Sequence, residues 1–255
     1  MSTTYETGHA KNVAHFEYLI TQCLSFGSIF NPSKPALKAE ALNELLSKSQ
    51  SAINIVKEKN TLYVDAVNAR EILFKNLSTL TTRLLRIIQS SDVSDEKIKD
   101  VKSIIRKIKG QRASAIEHKP ASEISSDSNI GQINTPEPAP VTKSSSQLSY
   151  DNRLENFAKL VSLISTELGY APNEEEFKIV NLNATIADMR AKNSAVINAV
   201  TSLNNARIHR NKILYAKNTG LYDIAMEVKA YINAIFGTNS PEFKTVSKIK
   251  FTNNY

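Results

Sequence analysis

The sequence predicts an all-α protein: tandem duplicated helical bundles, about four helices per copy with one of them long, joined by a disordered linker. Three observations carry that prediction. Glycine is scarce, 7 in 255 residues, and an interior glycine costs a helix about 1 kcal/mol relative to alanine. Apolar residues recur at alternating steps of four and three. The chain also reads as though written twice. Ala52-Ile53-Asn54-Ile55-Val56 returns as Val196-Ile197-Asn198-Ala199-Val200, and Asn68-Ala69-Arg70 returns as Asn205-Ala206-Arg207. Phe16, Leu19 and Ile20 match Phe157, Leu160 and Val161. The domains expected are 1–112 (first helical repeat), 113–149 (flexible Ser/Pro-rich linker) and 150–255 (second helical repeat).

Each copy opens on a short helix, Asn12 to Phe26 or Tyr150 to Leu168. A long helix follows. In the first copy its stripe is Leu42, Leu46, Ser49, Ile53, Val56, Asn60, Tyr63, Val67, Arg70, Phe74 and Leu77. In the second it is Leu182, Ile186, Met189, Asn193, Val196, Val200, Leu203, Arg207, Arg210 and Leu214. A mean step of 3.5 is the spacing of a coiled-coil-like helix seam. A break near Glu58-Lys59-Asn60-Thr61 would instead make the first long element a helical hairpin; the stripe survives the crossing, which favours continuity. Pro35 suits the first turn of the long helix, where its missing donor is harmless. Asn173, ahead of Glu174-Glu175-Glu176, resembles an N-cap followed by acids that suit the positive helix end. Medium helices, Leu77 to Ser90 and Gly220 to Phe236, come next. Ser94 and Ser240 then read as N-caps of the closing helices.

The 113–149 segment is dominated by Ser, Pro, Thr, Asn and Glu. Its Thr135-Pro136-Glu137-Pro138-Ala139-Pro140 run favours extended polyproline conformations, and it holds too little apolar surface to offset its ordering entropy.

Arg207 through Phe251, with Arg210-Asn211, Leu214-Tyr215, Gly220-Leu221, Phe236-Gly237 and Ser240-Pro241, resembles a group of uncharacterised all-helical bacterial proteins with a duplicated helical repeat. Asn68 through Phe74 is similar to the same group. The resemblance implies a helical duplication and a bacterial origin, and it implies no catalytic residue.

Composition and motifs exclude more than they assign. No stretch approaches the roughly 20 apolar residues of a transmembrane helix. Met1-Ser2-Thr3-Thr4-Tyr5-Glu6 lacks the basic and apolar regions of an export signal, so a cytoplasmic location is expected, with specialised secretion still compatible. The single cysteine, Cys23, reads as a buried thiol. His9, His15, His118 and His209 have no metal-type spacing, and no phosphate loop, nucleophile elbow or HExxH pattern occurs. The expectation is therefore no enzyme, no cofactor and no metal.

Polar residues on the seams are candidates for setting register: Arg70, Arg207, Arg210, Asn60 and Asn193. The net charge of +7 has one concentration, where Lys102, Arg106, Lys107, Lys109 and Arg112 surround Val101, Ile104, Ile105 and Ile108. Such a helix could meet phosphates or an anionic membrane surface, or close the core with its apolar face. The function expected is a non-enzymatic helical scaffold or protein-interaction protein, self-associating or binding other helices. The alternatives are a nucleic-acid or anionic-surface binder using the basic helix, and a cargo or effector of a bacterial secretion or phage-like particle.

Overall fold

A computed structural model describes residues 4–111 and 148–253. Among these residues there are seven α-helices and no strand: α1 (Thr4–Ser25), α2 (Ala39–Gln89), α3 (Asp95–Ile108), α4 (Tyr150–Ser165), α5 (Ile179–Tyr215), α6 (Leu221–Phe236) and α7 (Pro241–Ser247). The expected linker lies outside the described residues except for Leu148 and Ser149.

The first long helix is longer than its stripe predicted. α2 runs 51 residues without a break, about 75 Å at 1.5 Å per residue. It passes through Glu58–Thr61 and takes in the medium helix expected from Leu77. The first copy therefore has three helices where four were expected. The second copy breaks at the matching place for a local reason. Asn218 adopts φ 65°, a left-handed conformation that asparagine tolerates better than most residues. Asp223 Oδ2 accepts the Asn218 N–H at 2.7 Å. A Cβ on Gly220 would lie 2.6 Å from the Ala216 nitrogen, so the chain can close this turn only with glycine there. The first copy has Lys75-Asn76-Leu77 at that point, with no glycine.

Two helix starts also differ from expectation. Pro35 and Glu174-Glu175-Glu176 fall in short 3-10 turns, Pro35–Leu37 and Glu175–Phe177, and the long helices begin at Ala39 and Ile179. Asn173 is therefore not the cap of α5. Ser94 and Ser240 do stand at N-cap positions, and Ser240 Oγ accepts from the Phe243 N–H at 3.0 Å.

The chain divides into two compact units that cut across the two repeats expected from sequence: Met1–Asn68 with Ala195–Tyr255, and Ala69–Ser194. The first unit packs Phe16, Leu19 and Leu42 with Leu214, Ile224 and Val228. The second packs Phe74, Leu84 and Ile105 with Phe157, Leu160 and Leu182. Each core thus draws on both halves of the chain. The seam stripes supply that burial: Leu42, Val56, Phe74, Leu182, Met189, Val196 and Leu203 are all buried.

Cys23 is buried in the first unit, and burial pushes its thiol up to about 12. The neutral form is thus held well past the ordinary pKa of 9.0. Since the thiolate is the nucleophile, native protein should resist iodoacetamide at pH 8 and react fully once unfolded. Rapid labelling of the native state would contradict the burial.

Candidate functional site

Polar residues standing where the helix stripe calls for apolar ones mark the chemically distinctive places. In the first unit, Asn12 precedes Phe16 and Leu19 on the buried face of α1. Its amide clamps the segment after α7: Asn12 Nδ2 donates to the Thr252 carbonyl at 2.7 Å, and Asn12 Oδ1 accepts the Thr252 N–H at 3.0 Å. Asn12 Nδ2 also reaches the Tyr215 hydroxyl at 3.2 Å. That hydroxyl lies 2.7 Å from His9 Nδ1, within hydrogen-bond distance. His15 Nδ1 donates to the Lys250 carbonyl at 2.6 Å and lines a shallow cleft with Tyr18, Lys248 and Ile249. Lys229 Nζ bonds the Ile249 carbonyl and sits 5.5 Å from the Phe251 ring centroid. Burial lowers its pKa. These groups hold a segment of backbone in place, and none is poised between a nucleophile and a base.

In the second unit, Arg153 takes the stripe position ahead of Phe157. Its Nη2 donates to the Phe74 carbonyl at 2.7 Å, and burial lowers its pKa, with Tyr150 acting the other way. Arg70 stacks on the Tyr150 ring, 3.9 Å from the centroid. Tyr150 meets Phe74 edge-on at 4.9 Å. The result is a ladder of guanidinium, phenol, phenyl and guanidinium. Arg70 and Arg153 each have a buried Nε with no hydrogen-bond partner among the described residues.

The expected register residues separate into two kinds. Arg210 is only 3% exposed, and Asn211 Oδ1 accepts from its Nε at 3.1 Å and its Nη2 at 2.8 Å. Arg207 is half-buried on the same helix. Asn193 is buried and its amide donates to Asp151 Oδ1 at 2.9 Å. Asn60, by contrast, is exposed and sets no register inside the chain, because the α2 stripe has no buried residue from Lys57 to Asn68.

The basic helix α3 buries its apolar face. Val101, Ile105 and Ile108 are 1%, 4% and 1% exposed. At 100° per residue, Lys102, Arg106 and Lys109 share one flank with Lys99 and, at its N-terminal end, Asp95, while Lys107 falls on the other with Glu96 and Asp100. Lys107 thus stands apart from Lys102, Arg106 and Lys109 on α3. Arg112 lies outside the described residues.

Among the described residues no three His, Cys, Asp or Glu side chains converge to hold a metal ion, and no helix is long and apolar enough to cross a membrane. No protein-family model matches this chain, and neither does any curated protein or solved structure. Residue chemistry alone must carry the functional reading.

Arg153, Tyr150 and the Asn12 clamp were not singled out from sequence. The signal that could have found them is a polar residue on an apolar stripe. The same signal picked out Arg70 and Asn193.

Proposed function

We propose that this chain is a non-enzymatic helical scaffold of bacterial origin, built by duplication of one helical repeat and acting through long helix surfaces in the cytoplasm. Recurrent burial supports the duplication. Phe16, Leu19, Ile20 and Cys23 on α1 have buried counterparts in Phe157, Leu160, Val161 and Ile164 on α4. Leu37, Leu42, Val56 and Phe74 stand at one constant separation from the buried Phe177, Leu182, Val196 and Leu214, a register that sets Val56 against Val196, one helical turn from the Val200 that the sequence match gave it.

The observation that carries the scaffold reading is apolar surface left exposed on each of the two long helices. Within the first unit, α2 meets α5 through a small cluster: Val56, Tyr63, Leu203 and Ala206. From Lys57 to Asn68 no residue of α2 is buried. Yet Ile55 and Leu62, two turns apart on one face of α2, are 38% and 50% exposed, and Ile197 and Ile208, three turns apart on one face of α5, are 60% and 67% exposed. Two helices alone do not enclose a core; a further layer is needed. A second copy of this chain brings a matching pair and completes four helices.

Light scattering coupled to size exclusion, at low and high salt, tests this. A defined oligomer that persists in high salt and is dissociated by Leu62→Glu is expected. A monomer at every concentration would overturn self-association.

A further inference from the structure

The cations on one flank of α3 do not stand alone. Lys109 Nζ donates to Thr82 Oγ1 on α2 at 2.7 Å, and Thr82 in turn donates to the Ser78 carbonyl. The short turn between Gln89 and Asp95 and this bond together make α2 and α3 an antiparallel hairpin. On α2, Thr82 shares its face with Lys75 and Arg86, at one- and two-turn spacings. The bonded flanks therefore meet along the outer side of the hairpin, with Arg86 from α2 beside the Lys102, Arg106 and Lys109 flank of α3. Between Ile72 and Ser91, α2 and its end carry Lys75, Arg83 and Arg86 and no acid at all. Among the described residues, Arg83 pairs with Glu176 at 2.6 Å and Lys97 with Glu167 at 3.1 Å. Lys75, Arg86, Lys102, Arg106 and Lys109 form no ion pair there. Arg86 and Lys102 are exposed, and Arg106 and Lys109 half-buried.

We propose that the outer groove of the α2–α3 hairpin binds the phosphate backbone of a nucleic-acid duplex through Arg86, Lys102, Arg106 and Lys109. Guanidinium and ammonium groups in a row along about 10 Å of α3 give a line of phosphate contacts. Thr82 holds Lys109 out along that line. A membrane surface is the poorer match. An interfacial helix must insert its apolar face, and the apolar face of α3 is already spent on the core. No aromatic residue lies on the two flanks to stack an unpaired base, as single-strand binders require. The contacts read charge and spacing, so the binding is independent of base sequence. This assignment goes beyond the scaffold reading and does not depend on self-association.

The test is fluorescence anisotropy of the full chain with a short, labelled, mixed-sequence DNA duplex over a salt series. Four phosphate contacts predict a log–log salt slope of about −3 to −4. Lys102→Glu with Arg106→Glu should weaken binding at low salt by more than about tenfold, and flatten the slope by about two units. At about 0.15 M salt, where the Debye length is about 8 Å, Lys107→Glu on the acidic flank should change affinity by less than about twofold, since charge there is screened from the groove. Lys102→Gln with Arg106→Gln, whose fold is checked by circular dichroism, should weaken binding in the same direction. Absence of duplex binding at low salt would overturn the proposal. So would an equal loss in Lys107→Glu, and so would capture by phosphatidylserine vesicles in preference to the duplex.

Discussion

Expressed alone, residues 1–112 are expected to lack a cooperative unfolding transition, and so are residues 150–255. Neither of these two halves coincides with a compact unit. The core around Phe16, Leu19 and Leu42 is closed by Leu214, Ile224, Val228 and Ile232 from the other copy. The core around Phe74, Leu84 and Ile105 is closed by Phe157, Leu160, Ile164 and Leu182. A fragment ending at residue 112 keeps one wall of each core and loses the facing wall of both. Each large apolar side chain returned to water costs about 1.5–3 kcal/mol, and the four lost from the first core alone exceed a typical lower bound of about 5 kcal/mol for domain stability. Helix content will survive in part, because α2 is long and free of glycine and proline, but sharp melting will not. Mixing the two fragments should restore it, with a one-to-one complex and a melt resembling that of the full chain. Thermal scans by circular dichroism read this directly. A steep, monomeric transition in either fragment would show that a single repeat folds by itself and would sink the prediction.

Why this pairing escaped the sequence is a matter of range. Helix seams are local: Leu42, Val56, Leu182, Met189 and Leu203 announce themselves by step size, and all are buried. The caps Ser94 and Ser240 are equally local. The apolar face of α3 was legible for the same reason; the choice between membrane contact and core closure was not, because it turned on the partners of Val101 and Ile105. A stripe states that a face is covered and is silent on what covers it. Arg70 was legible as an odd residue on a seam, whereas its stacking on Tyr150 depends on a contact across eighty residues. The length of α2 was misjudged by analogy. The second half of the chain breaks at Asn218 and Gly220, whereas the stretch around Leu77 has an asparagine, Asn76, but no glycine to close the same turn. Asn60 and Asn193 look alike on their stripes, yet only Asn193 has an acid, Asp151, within reach. Burial of a polar residue is set by its neighbours in space, which periodicity does not list.

Phe157→Ala is expected to destabilise the second unit by about 3–5 kcal/mol. Phe157 lies on α4 with no exposed surface, in a core that also holds Leu154, Leu160, Val161 and Ile164 from the same helix. Removing the ring forfeits its transfer from water and leaves a void that these helical neighbours can close only partly, because α4 is fixed at its start by Arg153 on the Phe74 carbonyl and Asp151 on Asn193. A loss of that size takes a large share of the stability of an ordinary domain. With a shift of about 2–4 °C per kcal/mol for a chain near this length, the melting temperature should fall by about 6–20 °C. Phe157→Leu keeps most of the volume and should cost less than about 1.5 kcal/mol. Leu168→Ala is the matching control, because Leu168 is fully exposed and its truncation leaves no void. The ordering Ala well below Leu at position 157, with Leu168→Ala close to the parent chain, is what a packed site requires. If Phe157→Ala melted with Leu168→Ala instead, α4 would not be packed against this core, and the ladder from Arg70 through Tyr150 and Phe74 to Arg153, which depends on the same helix placement, would fall with it.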